Sequence, residues 1–289
     1  MSDRRIKDLL ADRGLAPSKK LGQNFLVHRQ TAEKLVRLAG LGSEDTVVEL
    51  GVGLGALTLP LAAKVRRVIG IEIDAGLIRW HREKGILPVN MELIHQDMLE
   101  ADFPGLAAET GGRLKIMANL PYSVSNPLLF KLIDDREAMA WAVLMLQKEV
   151  ADRLTAPVGT KEYGILTVLL AACAKVTPLL RLGPEQFHPR PKVDSMVVRL
   201  DFVPTPERTR RLPPHDRRLL RRVVKAAFQQ RRKTLLNGLA SAWPGLGKEK
   251  WRQLLAAAAI EPMVRAERLS LEDFVRLARA VGNEIGPPS

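Results

Sequence analysis

Between about residues 45 and 203 the chain alternates short apolar runs with helical stretches. The apolar runs are TVVELG (46–51), VIGIEI (68–73), MELIHQD (91–97), LKIMANL (114–120) and AWAVLML (140–146). Each has the length of a strand, and most lead into a loop and a helical segment. Strands alternating with helices build a largely parallel sheet covered on both faces. Two later runs, KVTPLLRL (175–182) and SMVVRLDFV (195–203), are expected to close the sheet as an antiparallel pair. The segment VPTPERTRRLPP (203–214) is proline-rich and charged, which predicts a linker. Beyond it the pattern is helical, over roughly 215–230, 231–241, 248–258 and 270–282. The expected architecture is therefore an α/β domain over 1–205 and a small all-helical domain over 206–289.

The helix at 217–228 has two distinct faces. Arg217, Arg218, Arg221, Arg222 and Lys225 fall on one arc, and Leu219, Leu220, Val223, Val224 and Ala227 on the opposite one. A solvated helix face usually mixes its charges. Like charges four residues apart destabilise a helix, so an all-positive face points to an external anion. Arg231, Arg232 and Lys233 in QQRRK (229–233) extend the same basic segment.

Charge over the whole chain agrees. Lys and Arg number 45 against 32 Asp and Glu, a net charge of +13. Eleven Lys/Arg and a single acid, Asp216, lie between Arg208 and Lys233, a local net of +10. A polyanion is the expected partner. The apolar arc of the basic helix carries no aromatic except Phe228 at its boundary, so RNA or DNA ranks ahead of an anionic membrane.

The remaining composition narrows the class. A chain of 289 residues, 46% hydrophobic and 27% charged, predicts about two soluble domains with a real core. The longest near-apolar run, Ile165 to Ala174, is too short to span a bilayer, so no membrane segment is expected. MSDRRIKDLLADRG at the start has no apolar stretch after its charges, so no secretory signal is expected. One cysteine, Cys173, fits a reducing cytosol. The five histidines show no paired ligand spacing, and no metal site is expected.

Candidate chemistry gathers at the strand ends. In VVELGVGLGALT (47–58) a strand runs into the turn Gly51-Val52-Gly53-Leu54-Gly55. Glycines there permit a tight turn and close approach of a ligand. The third glycine comes one residue too early for the dinucleotide fingerprint, which argues against a nicotinamide cofactor. Glu72 ends the second run and can accept hydrogen bonds from both hydroxyls of a ribose. Asp97 ends the third run, where it either caps a turn or meets an adenine amino group. Three such features at successive strand ends point to one nucleoside in the cleft of an open α/β sheet.

The fourth run ends in Asn119-Leu120-Pro121-Tyr122. The lone pair of an exocyclic aromatic amine is conjugated into its ring, so the nitrogen must pyramidalise to attack a methyl group. The Asn119 side-chain oxygen and the Leu120 carbonyl can each accept one N–H and aim that lone pair. Pro121 restricts Leu120 to an extended conformation. Tyr122 can stack on the base, an interaction worth about 1–3 kcal/mol.

With these residues in order, the sequence resembles the ribosomal RNA adenine N6-dimethyltransferases, most closely their small-subunit branch. LGQNFL (21–26), VVELGVGLGALT, GIEID (70–74), HQDML (95–99), NLPYSVSNPLLFKL (119–132), FHPRPKVDS (187–195) and AFQQRRKTLLNGL (227–239) match family motifs over nearly the whole chain. Val52 replaces the usual proline, and Ser123 and Asn126 replace an Asn and a Thr.

The resemblance implies a Rossmann-like class I methyltransferase domain that uses S-adenosylmethionine and no metal. It adds Asn24 and Leu26 to Gly51, Glu72, Asp97 and Asn119 as cofactor-binding residues. It also makes Phe187 a second stacking face opposite Tyr122. The implied reaction dimethylates N6 of two adjacent adenines in a hairpin near the 3′ end of small-subunit rRNA. The implied setting is a cytoplasmic monomer acting on a pre-ribosomal small subunit. Two other readings stand beside it: a non-enzymatic RNA-binding assembly factor, and a large-subunit dimethyltransferase. The intact Asn119–Tyr122 tetrad favours retained chemistry. Leu120, where the large-subunit branch typically carries Ile, favours the small-subunit branch.

Overall fold

The computed structural model describes residues 21–285. Strands β1 (Phe25–Leu26), β2 (Thr46–Leu50), β3 (Arg67–Glu72), β4 (Met91–His95), β5 (Leu114–Asn119), β6 (Met139–Gln147), β7 (Lys175–Leu182), β8 (Phe187–His188) and β9 (Ser195–Asp201) follow in chain order. Seven of them form one sheet in the order β4-β3-β2-β5-β6-β9-β7. The first five are parallel, and β9 and β7 close the edge antiparallel, as the apolar runs predict. β1 and β8 form a separate antiparallel pair that sets Leu26 opposite Phe187.

The strands are apolar because the sheet is covered on both faces. Val47, Val48, Leu50, Ile69, Ile71, Ile116, Leu144 and Leu146 are fully buried. Helices Thr58–Ala62, Ala75–Lys84, Phe103–Glu109 and Ser125–Asp134 connect the parallel strands. Asp74 and Asp102 cap two of them by accepting backbone N–H bonds from the first turn. From β2 the chain winds outward through β3 and β4, then returns to the other side of β2 as β5 and β6. That reversal opens a crevice beyond the carboxyl ends of β2 and β5.

The chain divides into two compact units. Described residues up to Ala151, together with Lys175–Pro204, make the first, and Asp152–Ala174 with the described residues from Thr205 onward make the second. The break after Pro204 falls beside the expected boundary at 205. The segment 152–174, expected in the first domain, clusters with the second. Its helix Ile165–Ala171 packs on helix Arg217–Phe228. Tyr163 meets Phe228, which meets Phe274, at ring separations of 6.1 and 5.8 Å.

The second unit is otherwise helical, with Leu235–Ala242, Gly247–Ala257 and Leu271–Ile285 close to the predicted spans. The predicted linker is not loose throughout. It carries a short helix, Glu207–Arg211, and Arg208 pairs with both carboxylate oxygens of Glu272 at 2.9 Å. This bidentate pairing holds the Glu272 carboxyl down at about 2. No helix among the described residues is long and apolar enough to cross a membrane.

Candidate active site

A cavity lies at the carboxyl ends of the parallel strands. Asn24, Leu26, Gly51, Glu72, Asp97, Asn119 and Pro121 all line it. Six of these seven are the residues expected to bind the cofactor.

The glycine turn forms one wall. Gly51, Gly53 and Gly55 have φ of +79°, +57° and +78°, in the left-handed region where a side chain would be strained. The Gly51 N–H donates to Ile71 O at 2.8 Å and carries the β2–β3 pairing into the turn. Val52 packs over Gly70 of β3. A Cβ built at residue 70 would lie 2.7 Å from a Val52 methyl, so glycine there makes room for the loop.

Glu72 is 5% exposed at the tip of β3. Its Oε2 accepts from the Gly53 N–H, and its Oε1 accepts from the N–H groups of Ile73 and Asp74, each at 2.9 Å. Burial raises its pKa, against the pull of these three donors. Oε1 is filled by its two donors, and Oε2 keeps a further lone pair for a ligand hydroxyl. Asp97 both closes a turn, accepting from Leu99 N–H at 2.8 Å, and lines the cavity. The two expectations for it are compatible, because the turn engages only Oδ1.

Asn119 ends β5. Its Nδ2 donates to the Asn24 carbonyl at 2.9 Å. That bond engages one of the two Nδ2 hydrogens and leaves Oδ1 able to accept. Asn24 is tied in turn through its Nδ2 to Gly22 O at 3.1 Å. Gln23 beside it donates to Asp74 Oδ2 at 2.8 Å. The 22–26 segment is thus stitched to the tips of β3 and β5.

Three expected residues do not line the cavity. The Leu120 side chain is buried at 3% exposure. Tyr122 is half-buried, with its hydroxyl 3.4 Å from Ser195 Oγ. Burial pushes its phenol above the ordinary value. Phe187 is 2% exposed in a core cluster with Leu26, Met145 and Val197, so its ring belongs to the core of the first unit. In β1–β8 it backs Leu26, which does face the cavity.

Sequence reasoning missed several lining residues. Glu49 is fully buried within β2, accepts from Thr58 Oγ1 at 2.7 Å, and lines the cavity. Burial raises its carboxyl to about 8, with a smaller contribution from nearby Glu72. The available signal was a carboxylate inside an otherwise apolar strand. Ile73 and Met98 add apolar wall. Among the described residues no group of three or more His, Cys, Asp or Glu is placed to hold a metal.

In the second unit, Leu219, Leu220, Val223, Val224 and Ala227 are buried on helix Arg217–Phe228. Arg217, Arg218, Arg222 and Lys225 are exposed and Arg221 is half-buried. Arg222 stacks on Trp243 at 3.8 Å. Arg232 and Lys233 are exposed after the helix. Arg231 donates to the carbonyls of Lys161 and Tyr163 at 2.8 and 2.7 Å, so its guanidinium ties segment 152–174 to the helix end.

Comparison with known proteins agrees with this geometry. The family described as "Ribosomal RNA adenine dimethylase" matches residues 16–281. The chain belongs to that family. It is similar to the Ribosomal RNA small subunit methyltransferase A of Desulfotalea psychrophila, 49% identical over 97% of both chains. The protein of the same name from Geobacter metallireducens is 44% identical over 93% of this chain and 96% of its own. Among solved structures, a dimethyladenosine transferase from Plasmodium falciparum matches with a TM-score of 0.69 at 28% identity, covering 90% of this chain and 98% of that one. As a dimethylase of this family the chain is an S-adenosylmethionine-dependent rRNA methyltransferase. The cavity suits that cofactor. Glu72 can meet a ribose diol, Ile73 and Met98 offer apolar surface to a flat base, and the Glu72 and Asp97 carboxylates suit a cation.

Proposed function

We propose that this chain dimethylates N6 of two adjacent adenines in a hairpin near the 3′ end of small-subunit rRNA. The substrate is a pre-ribosomal small subunit, and the protein acts as a cytoplasmic monomer. The observation that carries the chemistry is the Asn119 amide, turned by the Asn24 carbonyl so that its oxygen is left to accept. S-adenosylmethionine supplies an electrophilic methyl group on a sulfonium.

The chain's own residues then position the acceptor. In the first transfer Asn119 Oδ1 and the Leu120 carbonyl accept the two N–H groups of N6 and favour its tetrahedral form; in the second, one of them accepts the single N–H that remains. Each transfer breaks the methyl–sulfur bond, releases the neutral thioether and gives up one N6 proton to solvent. Such aiming acts where charge develops in the transition state. Tyr122 stacks on the target base, which must leave its helical stack to reach the site. Glu72 and Asp97 hold the nucleoside part of the cofactor, with Gly51, Asn24 and Leu26 shaping the wall. Phe187 supports the cofactor wall from behind, through its pairing with Leu26. Arg217, Arg218, Arg221, Arg222, Lys225, Arg232 and Lys233 engage phosphate, which positions the RNA without reading its sequence. Arg231 serves this surface indirectly, by fixing the end of the basic helix.

The test is direct. The protein is incubated with labelled S-adenosylmethionine and small subunits that lack the modification, and the RNA is then digested. The proposal expects N6,N6-dimethyladenosine in small-subunit rRNA. Label confined to large-subunit rRNA, or binding to the particle without label, would favour one of the two alternatives.

A further inference from the structure

His81 lies on helix Ala75–Lys84, outside the strand tips that define the cavity. It is 1% exposed, with the Trp80 ring edge-on at 4.6 Å. Its Nε2 is 2.8 Å from the carbonyl oxygen of Gly53. A carbonyl can only accept, so Nε2 carries a hydrogen. Burial lowers the ring's pKa and favours the neutral form, in which Nδ1 is bare. Nδ1 is buried without a hydrogen-bond partner. An orphaned buried nitrogen is destabilising, and an apolar side chain at this position would avoid it. The ring's contribution is therefore to be sought in its bond to Gly53.

Gly53 is gripped on both sides of its Cα. Its N–H, in the preceding peptide plane, donates to Glu72 Oε2 at 2.9 Å. Its carbonyl, in the following plane, accepts from His81. These two planes rotate against each other through the φ and ψ of Gly53, whose φ is +57°. Gly55 rests against the same ring, since a Cβ built on it would lie 3.6 Å from His81 Cε1.

We propose that His81 is a positioning residue for the cofactor loop. By fixing Gly53 it holds residues 51–54 in the shape that lines the cavity, so it sets cofactor affinity without touching the reacting atoms. Pre-organisation of this kind improves binding by removing the ordering cost from the binding step. The proposal rests on the reading of the cavity as the S-adenosylmethionine site.

Titration calorimetry with S-adenosylmethionine on the full chain tests it, alongside thermal unfolding. His81→Met removes the donor with an adaptable apolar chain, His81→Gln keeps an N–H near the Nε2 position, and Asp97→Ala reports on the cavity itself. His81→Met is expected to weaken cofactor affinity about tenfold, the scale of one hydrogen bond. His81→Gln should recover most of that loss, and kcat at saturating cofactor should stay within about twofold of wild type. The proposal is overturned if His81→Met binds like wild type while Asp97→Ala binds weakly, or if His81→Gln is as weak as His81→Met. If Asp97→Ala also binds like wild type, the reading of the cavity fails first. Should His81→Met not fold, nitrogen NMR of the wild-type imidazole decides. A neutral ring with its hydrogen on Nε2, exchanging more slowly once cofactor is bound, is expected. A ring whose hydrogen sits on Nδ1 with Nε2 bare, or an Nε2 hydrogen that exchanges no more slowly with cofactor bound, overturns the proposal.

Discussion

Two side chains, Glu49 and Tyr122, show how burial and hydrogen bonding set function one residue at a time. Glu49 is held protonated up to about 8, whereas in an unfolded chain it titrates near 4.5. Between those values the folded state keeps a proton that the unfolded chain has released, so stability falls as pH rises through this window. Glu49→Gln keeps the shape and cannot ionise. Its melting temperature should exceed that of wild type by more at pH 8 than at pH 5, and an equal difference at both would contradict the assignment. The proposed function has Tyr122 act through its ring, and its hydroxyl lies at the long end of bonding distance from Ser195, 3.4 Å. Tyr122→Phe should transfer methyl groups within about threefold of wild type. Tyr122→Ala should lose about 5- to 150-fold, the rate equivalent of 1–3 kcal/mol of stacking. Single-turnover rates check both, and a Phe variant as slow as the Ala variant would make the hydroxyl the working group. Glu72 and Asn119 were legible in the sequence because each ends an apolar run. Glu49 sits inside its run and reads as strand, and His81 in a mixed helix carries no periodic signal. Their roles arise only when Thr58 and Gly53 are brought to them.

At the scale of elements, the parallel strands were legible from their apolar runs, because a sheet buried on both faces tolerates little else. The helix Arg217–Phe228 was equally plain, since its apolar arc is buried as the 3.6-residue period requires. What the pattern could not give was affiliation. Helix Ile165–Ala171 has the same apolar look as a crossover helix of the first domain, yet it packs in the second unit. Charge alone could not show that Arg231, exposed like Arg232 beside it, is bonded to two carbonyls. Phe187 likewise reads as loop aromatic beside prolines, and only the pairing of β1 with β8 puts it in the core. The basic helix carries its own prediction. Neutralising Arg218, Lys225 and Arg232 should flatten the dependence of log affinity on log salt by about 0.7–0.9 for each phosphate no longer neutralised. Filter binding to small subunits across a salt series measures this. An unchanged slope would make the stripe a solvated face.

For the whole molecule, the proposed function divides the labour, with chemistry in the first unit and RNA holding in the second. The cavity that Asn119 lines belongs wholly to the first, and the basic helix wholly to the second. Substitutions in the two units should therefore fail in different ways. An aiming group works in the transition state, so its removal lowers the rate even with every site filled. A phosphate-binding side chain works in association, so the defect left by its removal is overcome when protein is in excess. The direct measurement is single-turnover methyl transfer to unmodified small subunits, with protein and S-adenosylmethionine both saturating. Asn119→Ala should be slower than wild type by about 10²–10³, the usual cost of removing one pre-organised polar group, while the Arg218/Lys225/Arg232 variant should approach the wild-type rate. An Asn119→Ala enzyme that transfers at the wild-type rate under these conditions would contradict the aiming role and the division of labour built on it.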